Sequence, residues 1–355
     1  MKDILKQIMK DKYASIALII LLVMYLTILF ANFIAPYSKD FADRNQSYAP
    51  PSKVFIIDEN GNFSKPYTYN YKREYMPELY QTVYKLDRSH KYYIHFLNRG
   101  ETYKFMGIIK TSRHLFGVEK EGRLYILGTD INGRDVFSRL LFGGRISLTI
   151  GFLSLFILFP IGLIYGGISG YFGGWVDVLM MRFAEAVMAI PSFYLLIILA
   201  AILPSNMTST QRFTLIVVIL ALIGWSGFAR VVRGMVLSIK KEEFVLAAKT
   251  IGASDLRIIL KHILPQTTSY VIIAMTLSVP SYILAESGLS FLGLGIQQPD
   301  ASWGNMLKEA QEYINILYRP WLLTPGFLIF IAVLSFNVIG DTIRDILDPK
   351  GKIRE

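Results

Sequence analysis

Glu286 closes an apolar run that begins near Thr268, and Ser287-Gly288-Leu289-Ser290-Phe291 follow it. A carboxylate in such a place costs free energy to desolvate, so it marks a pathway or gate, or else a group held by nearby backbone amides. Both readings stand, and Ser290 and Phe291 share the gate candidacy. The ingredients of catalysis are missing elsewhere. His90, His95, His114 and His262 show no metal-ligand spacing, and with no cysteine there is no disulfide, thiolate site or thiol nucleophile. No Gly-x-x-x-x-Gly-Lys-Ser/Thr loop occurs, so the chain has no means of cradling ATP phosphates. The expectation is therefore no catalytic residue, no metal and no cofactor in this chain, with any ATP and Mg held by other subunits. Gly128-Thr129-Asp130-Ile131-Asn132-Gly133-Arg134-Asp135 alternates Asp, Asn and Gly like a calcium loop, but the register fails: Gly133 comes too early and Leu141 stands where a bidentate Glu is needed. It reads instead as a turn network whose carboxylates accept from backbone amides and arginines.

The second constellation is EFVLAAKTIGASDLRIILKHILP, Glu243 to Pro265, a polar and basic segment between two apolar runs. Phe244, Ala247, Ala248 and Ile251 fall on one face at helical spacing, Gly252 supplies a left-handed turn, and Ser254 stands where it can cap the next helix. The pattern predicts a helix-turn-helix projecting from a membrane domain. Ala247 and Ala248 would leave its exposed face without bulk, which suits docking of a short helix into a groove on another protein. Leu246, Ala253, His262, Leu264 and Pro265 complete the candidate coupling residues.

The elements that must position these groups are membrane helices. Of 355 residues 53% are hydrophobic, and they come in blocks long enough to cross a bilayer. The net charge of +10 does not point to nucleic acid, because the Lys and Arg residues are scattered along the borders of apolar runs, where they meet anionic headgroups. Residues 1–13 are basic and amphipathic, with Ile4, Leu5, Ile8 and Met9 opposed to Lys2, Lys6, Lys10 and Lys12. Residues 14–35 form the first span, its apolar run longer than the apolar stretch of a signal peptide and without a clear small-x-small site. Residues 36–143 are charged and tyrosine-rich, with turn signals at Asp58 to Asn62 and Asn98 to Gly100. Tyr67, Tyr69 and Tyr71, Tyr92 to Leu97, and Tyr103 to Ile109 are strand candidates, so this is a β-rich extracytoplasmic insertion. Its tyrosines suit cross-strand packing better than a stacking surface for sugar or peptide.

Residues 144–343 hold five more spans, near Ser147 to Gly170, Val178 to Leu203, Phe213 to Val232, Thr268 to Ala285 and Leu322 to Ile339, with a coupling loop at 239–265 and a tail at 344–355. Pro160, Pro191, Pro280 and Pro325 are tolerable in such helices. Gly166 to Gly174 suit close helix contacts and a tight turn; Arg182 and Glu185 can pair on one helix face. The basic N-terminus, the loop with Arg230, Arg233, Lys240, Lys241, Lys249, Arg257 and Lys261, and the tail with Arg344, Lys350, Lys352 and Arg354 fall on one side, the cytoplasm. A carrier driven by an ion gradient is the rival from another class, but it would bring inverted repeats and mid-membrane ionisable groups.

Several segments resemble one family. Ala247, Ala248, Gly252, Leu264 and Pro265 match the cytoplasmic EAA loop of permease subunits of binding-protein-dependent ABC importers, with Leu246 in place of the usual Glu and His262 in place of Ile. Gly128 to Asp135, continued by Ser138, Arg139, Gly143, Arg145, Ile146, Ser147 and Leu148, is similar to the stretch before the second span of oligopeptide and dipeptide permeases. Trp175, Asp177, Met181, Arg182 and Glu185, Ala285 to Gly295 with Pro299, Ser302, Trp303 and Gly304, and Asn337, Gly340, Asp341, Arg344, Asp345, Leu347, Asp348 and Pro349 extend the resemblance. It implies an all-α integral membrane protein with six transmembrane helices, like a type I ABC importer permease, and the C-type subunit of an oligopeptide, dipeptide or nickel importer. The implied partners are a homologous B-type permease, two ATP-binding subunits and an extracytoplasmic substrate-binding protein, in a bacterial or archaeal cytoplasmic (inner) membrane with both termini cytoplasmic. Nickel or oligosaccharides are the alternative cargo.

Overall fold

A computed structural model describes residues 2–59, 61–76, 81–105, 108–204 and 206–347. Helices α1 (Lys2–Ile8), α2 (Lys12–Leu29) and α3 (Ala31–Ile34) come first. Strands β1 (Phe55–Ile57), β2 (Phe63–Met76), β3 (Gln81–Tyr93), β4 (His95–Phe96), β5 (Arg99–Phe105), β6 (Ile109–Arg113) and β7 (Phe116–Gly117) follow. The rest is helical: α4 (Val136–Phe172), α5 (Gly174–Met188), α6 (Ser192–Ala201), α7 (Ser209–Ile239), α8 (Glu243–Thr250), α9 (Asp255–Arg257), α10 (Thr268–Phe291), α11 (Trp303–Leu307), α12 (Tyr313–Tyr318) and α13 (Thr324–Leu347).

Among the described residues five helical stretches are long and apolar enough to cross a membrane: Lys12–Leu29, Val136–Phe172, Ser209–Ile239, Asp255–Phe291 and Pro320–Leu347. A sixth is formed if α5 and α6 count as one span, and these two meet at a bend of 75°. The straight span read from Val178 to Leu203 is therefore broken. Pro191 explains the break: it has no N–H to donate, it forces the residue before it out of the helical region, and its own backbone is extended at φ −57 and ψ 121. Pro160 and Pro280, by contrast, lie inside continuous α4 and α10. The 37 residues of α4 reach about 55 Å, well beyond a ~30 Å hydrocarbon core, so this helix also extends outside the bilayer.

The chain divides into two compact units, one built around Leu148–Leu289, the other from Leu22–Ser147 with Ser290–Ile329. In the first, Gly162, Gly166 and Gly170 recur every four residues along α4 and face α7. A Cβ on Gly166 would lie 2.8 Å from the Val232 Cβ, and one on Gly170 would lie 2.8 Å from the Arg233 carbonyl oxygen. The two helices thus pack at backbone distance, and Gly173 and Gly174, at φ +67 and +55, make the turn into α5. Arg182 and Glu185 pair at 3.1 Å, as their spacing predicts.

In the second unit β1, β2 and β3 form an antiparallel sheet, with β4 paired to β7 and β5 to β6. Tyr67, Tyr69 and Tyr71 are buried, and Tyr67 stacks on Phe55 of the neighbouring strand at 5.6 Å, so these rings are core and not a stacking surface. The stretch Tyr103 to Ile109 is not one strand: β5 ends at Phe105 and β6 begins at Ile109, with residues 106 and 107 outside the described ones. Tyr92 to Leu97 is likewise divided between β3 and β4, and Leu97 turns the chain at φ 53. The Asp58 to Asn62 turn closes through Gly61 N donating to the Asp58 oxygen at 3.1 Å; Asn60 lies outside the described residues, as do Asp348, Pro349, Lys350, Lys352 and Arg354.

Candidate coupling loop and gate residues

Helix α8 ends in a closed turn. Ile251 caps it, Gly252 takes φ +80, Gly252 N donates to the Lys249 oxygen at 3.0 Å, and Ala253 N donates to the Ala248 oxygen at 3.1 Å. This pair of bonds is the Schellman arrangement, which satisfies the last carbonyls of a helix through a left-handed residue. Beyond its own chain neighbours no atom lies within 4 Å of a Cβ built on Gly252, so conformation, not space, is what a side chain would violate there. Ser254 occupies the N-cap position of α9, but its hydroxyl makes no cap bond, contrary to the capping expected from sequence; its carbonyl accepts from Ile258 N at 2.9 Å. The second helix is also irregular. After the single α turn of α9 it widens into a π-helix over Ile258–Ile263 and tightens into a 3₁₀ turn over Leu264–Thr267 before α10. Pro265 accounts for this, since a proline cannot donate to the carbonyl four residues back and the neighbouring turns must re-satisfy what it frees.

The two alanines face different ways. Ala248 is 5% exposed and lies inward with Val245, while Ile258, Ile259 and Ile263 are buried from the following turn. Its place on a free docking face is thereby corrected: the spacing that joined it to Phe244 confused neighbours at i+4 with the outer stripe. Ala247 is exposed, and with Phe244 and Ile251, the latter 85% exposed, it forms an outward apolar stripe at i, i+3 and i+7. Leu246, Leu256 and Leu260 are exposed as well. Leu256 and Leu260 escaped the sequence reading; leucines four apart just after a glycine turn were the available signal. Of the remaining candidates Ala253, His262 and Leu264 are half-buried and Ser254 and Pro265 exposed. These side chains make an exposed apolar surface in an otherwise polar loop.

Behind this loop an ion pair ties three elements. Arg233 Nε of α7 donates to Asp177 Oδ1 of α5 at 2.9 Å, Arg233 Nη2 donates to the other carboxylate oxygen, and Ser169 Oγ of α4 donates to Oδ1 at 2.5 Å. Lys240 Nζ adds bonds to the Gly170 oxygen at 2.8 Å and the Tyr171 oxygen at 3.2 Å, the favourable placement for a cation at a helix C-terminus.

Glu286 is fully buried in α10, and Ser287 Oγ lies 3.5 Å from its carboxylate. One turn later Ser290 Oγ accepts from Ile296 N at 3.0 Å and so helps close the end of α10, with Gly293 at φ +80 making the reversal. Phe291 is half-buried, and its carbonyl accepts from Gln311 Nε2 at 3.4 Å. In the second unit the Asp130 carboxylate accepts from Asn132 N at 2.9 Å, Arg134 N at 3.0 Å and Arg134 Nε at 2.6 Å. Asp135 accepts from Ser138 N at 2.8 Å and Ser138 Oγ at 2.6 Å, capping α4. Arg139 Nη2 reaches Gln298 at 3.0 Å, and Arg134 bonds the same amide oxygen. Glu309 accepts from Ile131 N at 3.1 Å. Burial pushes both Asp135 and Glu309 up to about 7, and the nearby Asp130 charge adds to the effect at each. Arginines and amides thus take up the Asp130 carboxylate, in agreement with a turn network and not a calcium loop.

Two family descriptions match the chain. Binding-protein-dependent transport system inner membrane component covers residues 159–352, and the N-terminal TM domain of oligopeptide transport permease C covers residues 1–51. The chain is 48% identical over 225 residues to the dipeptide transport system permease protein DppC of Bacillus subtilis, an overlap of 63% of this chain and 68% of that protein. It is 44% identical over 229 residues to the oligopeptide transport system permease protein OppC of Haemophilus influenzae, 64% and 71% of the two chains. For OppC of Bacillus subtilis the identity is 43% over 224 residues, 63% and 71%.

Proposed function

The chain belongs to the family of binding-protein-dependent transport system inner membrane components, multi-pass permease subunits of ABC importers, and on that premise we infer that it forms the C-type half of a pore for dipeptides or oligopeptides. A homologous B-type permease completes the pore, two ATP-binding subunits supply hydrolysis, and an outer binding protein delivers the peptide. The observation that carries the reading is the Gly252 turn, which holds the outward stripe of Phe244, Ala247 and Ile251 on a short helix between two spans. Closure of the ATPases displaces α8, and the continuous helical run from Asp255 to Phe291 carries that displacement toward Glu286. Transport is then a population shift of a two-state bundle, driven by the difference in ATPase affinity for its two forms. Glu286, fully buried in α10, is with Ser290 and Phe291 the gate candidate of that bundle. The positive charge of the α8 loop and the N-terminus supports a cytoplasmic side for both, which leaves the β-rich insertion outside.

The test is reconstitution. The purified chain alone is expected to hydrolyse no ATP and to bind no nucleotide at micromolar levels, whereas liposomes holding all subunits and the binding protein take up a labelled peptide only with ATP. Uptake driven by an ion gradient without the ATPase subunits would replace this reading by a secondary carrier.

A further inference from the structure

An open basin of about 520 Å³ lies at the ends of α4 and α7 beside α8, lined by Tyr171, Phe172, Lys240, Lys241, Lys249 and Asp255 among others. Its depth is set by the spans. Both helices end there, α4 at Phe172 and α7 at Ile239, the latter past Arg230 and Arg233 that border its apolar run, so the lysines stand at the level where headgroups meet cations. Three lysines face a single carboxylate, and that one already receives the Tyr171 hydroxyl at 2.6 Å on Asp255 Oδ1. Lys240 is fixed on the Gly170 and Tyr171 carbonyls, which leaves Lys241 and Lys249, both exposed, to meet an anion. Phe172, which lines it, is exposed, and so is Trp175 three residues further along the chain, to 77%, as aromatic residues at a membrane boundary are. We propose that this basin binds the phosphodiester headgroup of an anionic phospholipid in the leaflet on the α8 side. Free phosphate shares the charge chemistry, but it has no use for exposed aromatic rings at the end of two spans.

The inference rests on the membrane reading of α4 and α7 and not on the cargo, so its failure leaves peptide import untouched. The full-length chain, delipidated in detergent, is titrated with phosphatidylglycerol or with phosphatidylcholine of the same acyl chains, and bound lipid is counted by native mass spectrometry. Phosphatidylglycerol is expected to be retained over phosphatidylcholine. Lys241→Gln/Lys249→Gln is expected to weaken it by on the order of thirtyfold, while Lys241→Arg/Lys249→Arg keeps it. Equal retention of the two lipids by the unmodified chain overturns the site, whatever the folding of the variants. So does undiminished phosphatidylglycerol on the double Gln variant. Displacement by millimolar inorganic phosphate overturns the lipid assignment in favour of the free ion.

Discussion

Gly252→Val abolishes import while the membrane helices still insert. The residue sits at φ +80, where a β-branched side chain costs on the order of 1–3 kcal/mol, and its turn supplies the Gly252 to Lys249 and Ala253 to Ala248 bonds that close α8. Because no atom beyond its own chain neighbours lies within 4 Å of the added Cβ, the loss comes from backbone conformation and spreads to the direction of α8, not to the packing of the bundle. Phe244→Asp or Ala247→Asp reaches the same end differently. Each puts a charge on the outward stripe without straining the turn, and its desolvation in a packed interface costs several kcal/mol, roughly a hundredfold or more in affinity. The checks are ATP-dependent uptake and recovery of the ATPase subunits on purification; normal uptake by all three variants would show that α8 does not transmit the drive. Ala248→Asp is a poorer probe. That side chain is buried within this chain, so a charge there disrupts the loop from inside.

Arg233→Gln is expected to be more damaging than removing the whole pair. It removes the guanidinium from the Asp177 carboxylate, which keeps the Ser169 hydroxyl at 2.5 Å, and because Arg233 is itself partly exposed the loss is about 1–3 kcal/mol. Asp177→Asn/Arg233→Gln removes both charges and recovers most of the lost stability, because the desolvation cost disappears with them. Thermal unfolding in detergent, followed for the single and double variants, measures the difference. A double variant that is no more stable than Arg233→Gln contradicts an ion-pair latch at this position.

Much of this architecture was legible in the sequence because its signals are local. Apolar blocks of bilayer length gave the spans, and a glycine after an apolar stripe gave the end of α8. Alternating tyrosines gave β2. What escaped depends on neighbours or on competing backbone effects. Pro160 and Pro191 look alike in an apolar run, yet one lies within a continuous helix and the other starts a new one at 75°. Ala247 and Ala248 differ by one position, and only the packing behind α8, next to Val245, decides which of them is free. The partner of Asp177, Arg233, lies 56 residues away and has no signature in local spacing. Ser254 had the residue type and position of a cap and did not use them.

Docking of the ATPase subunit on α8 is tested most directly by crosslinking. Because the chain has no cysteine, a single photoreactive label can be placed without ambiguity. On Ala247→Cys, in the assembled importer, the label is expected to capture an ATP-binding subunit. On Lys72→Cys in β2 it captures none, and on inward-facing Ala248→Cys it reacts poorly. Capture of the ATPase from Lys72→Cys, or none from a fully labelled Ala247→Cys in an active complex, would contradict the account.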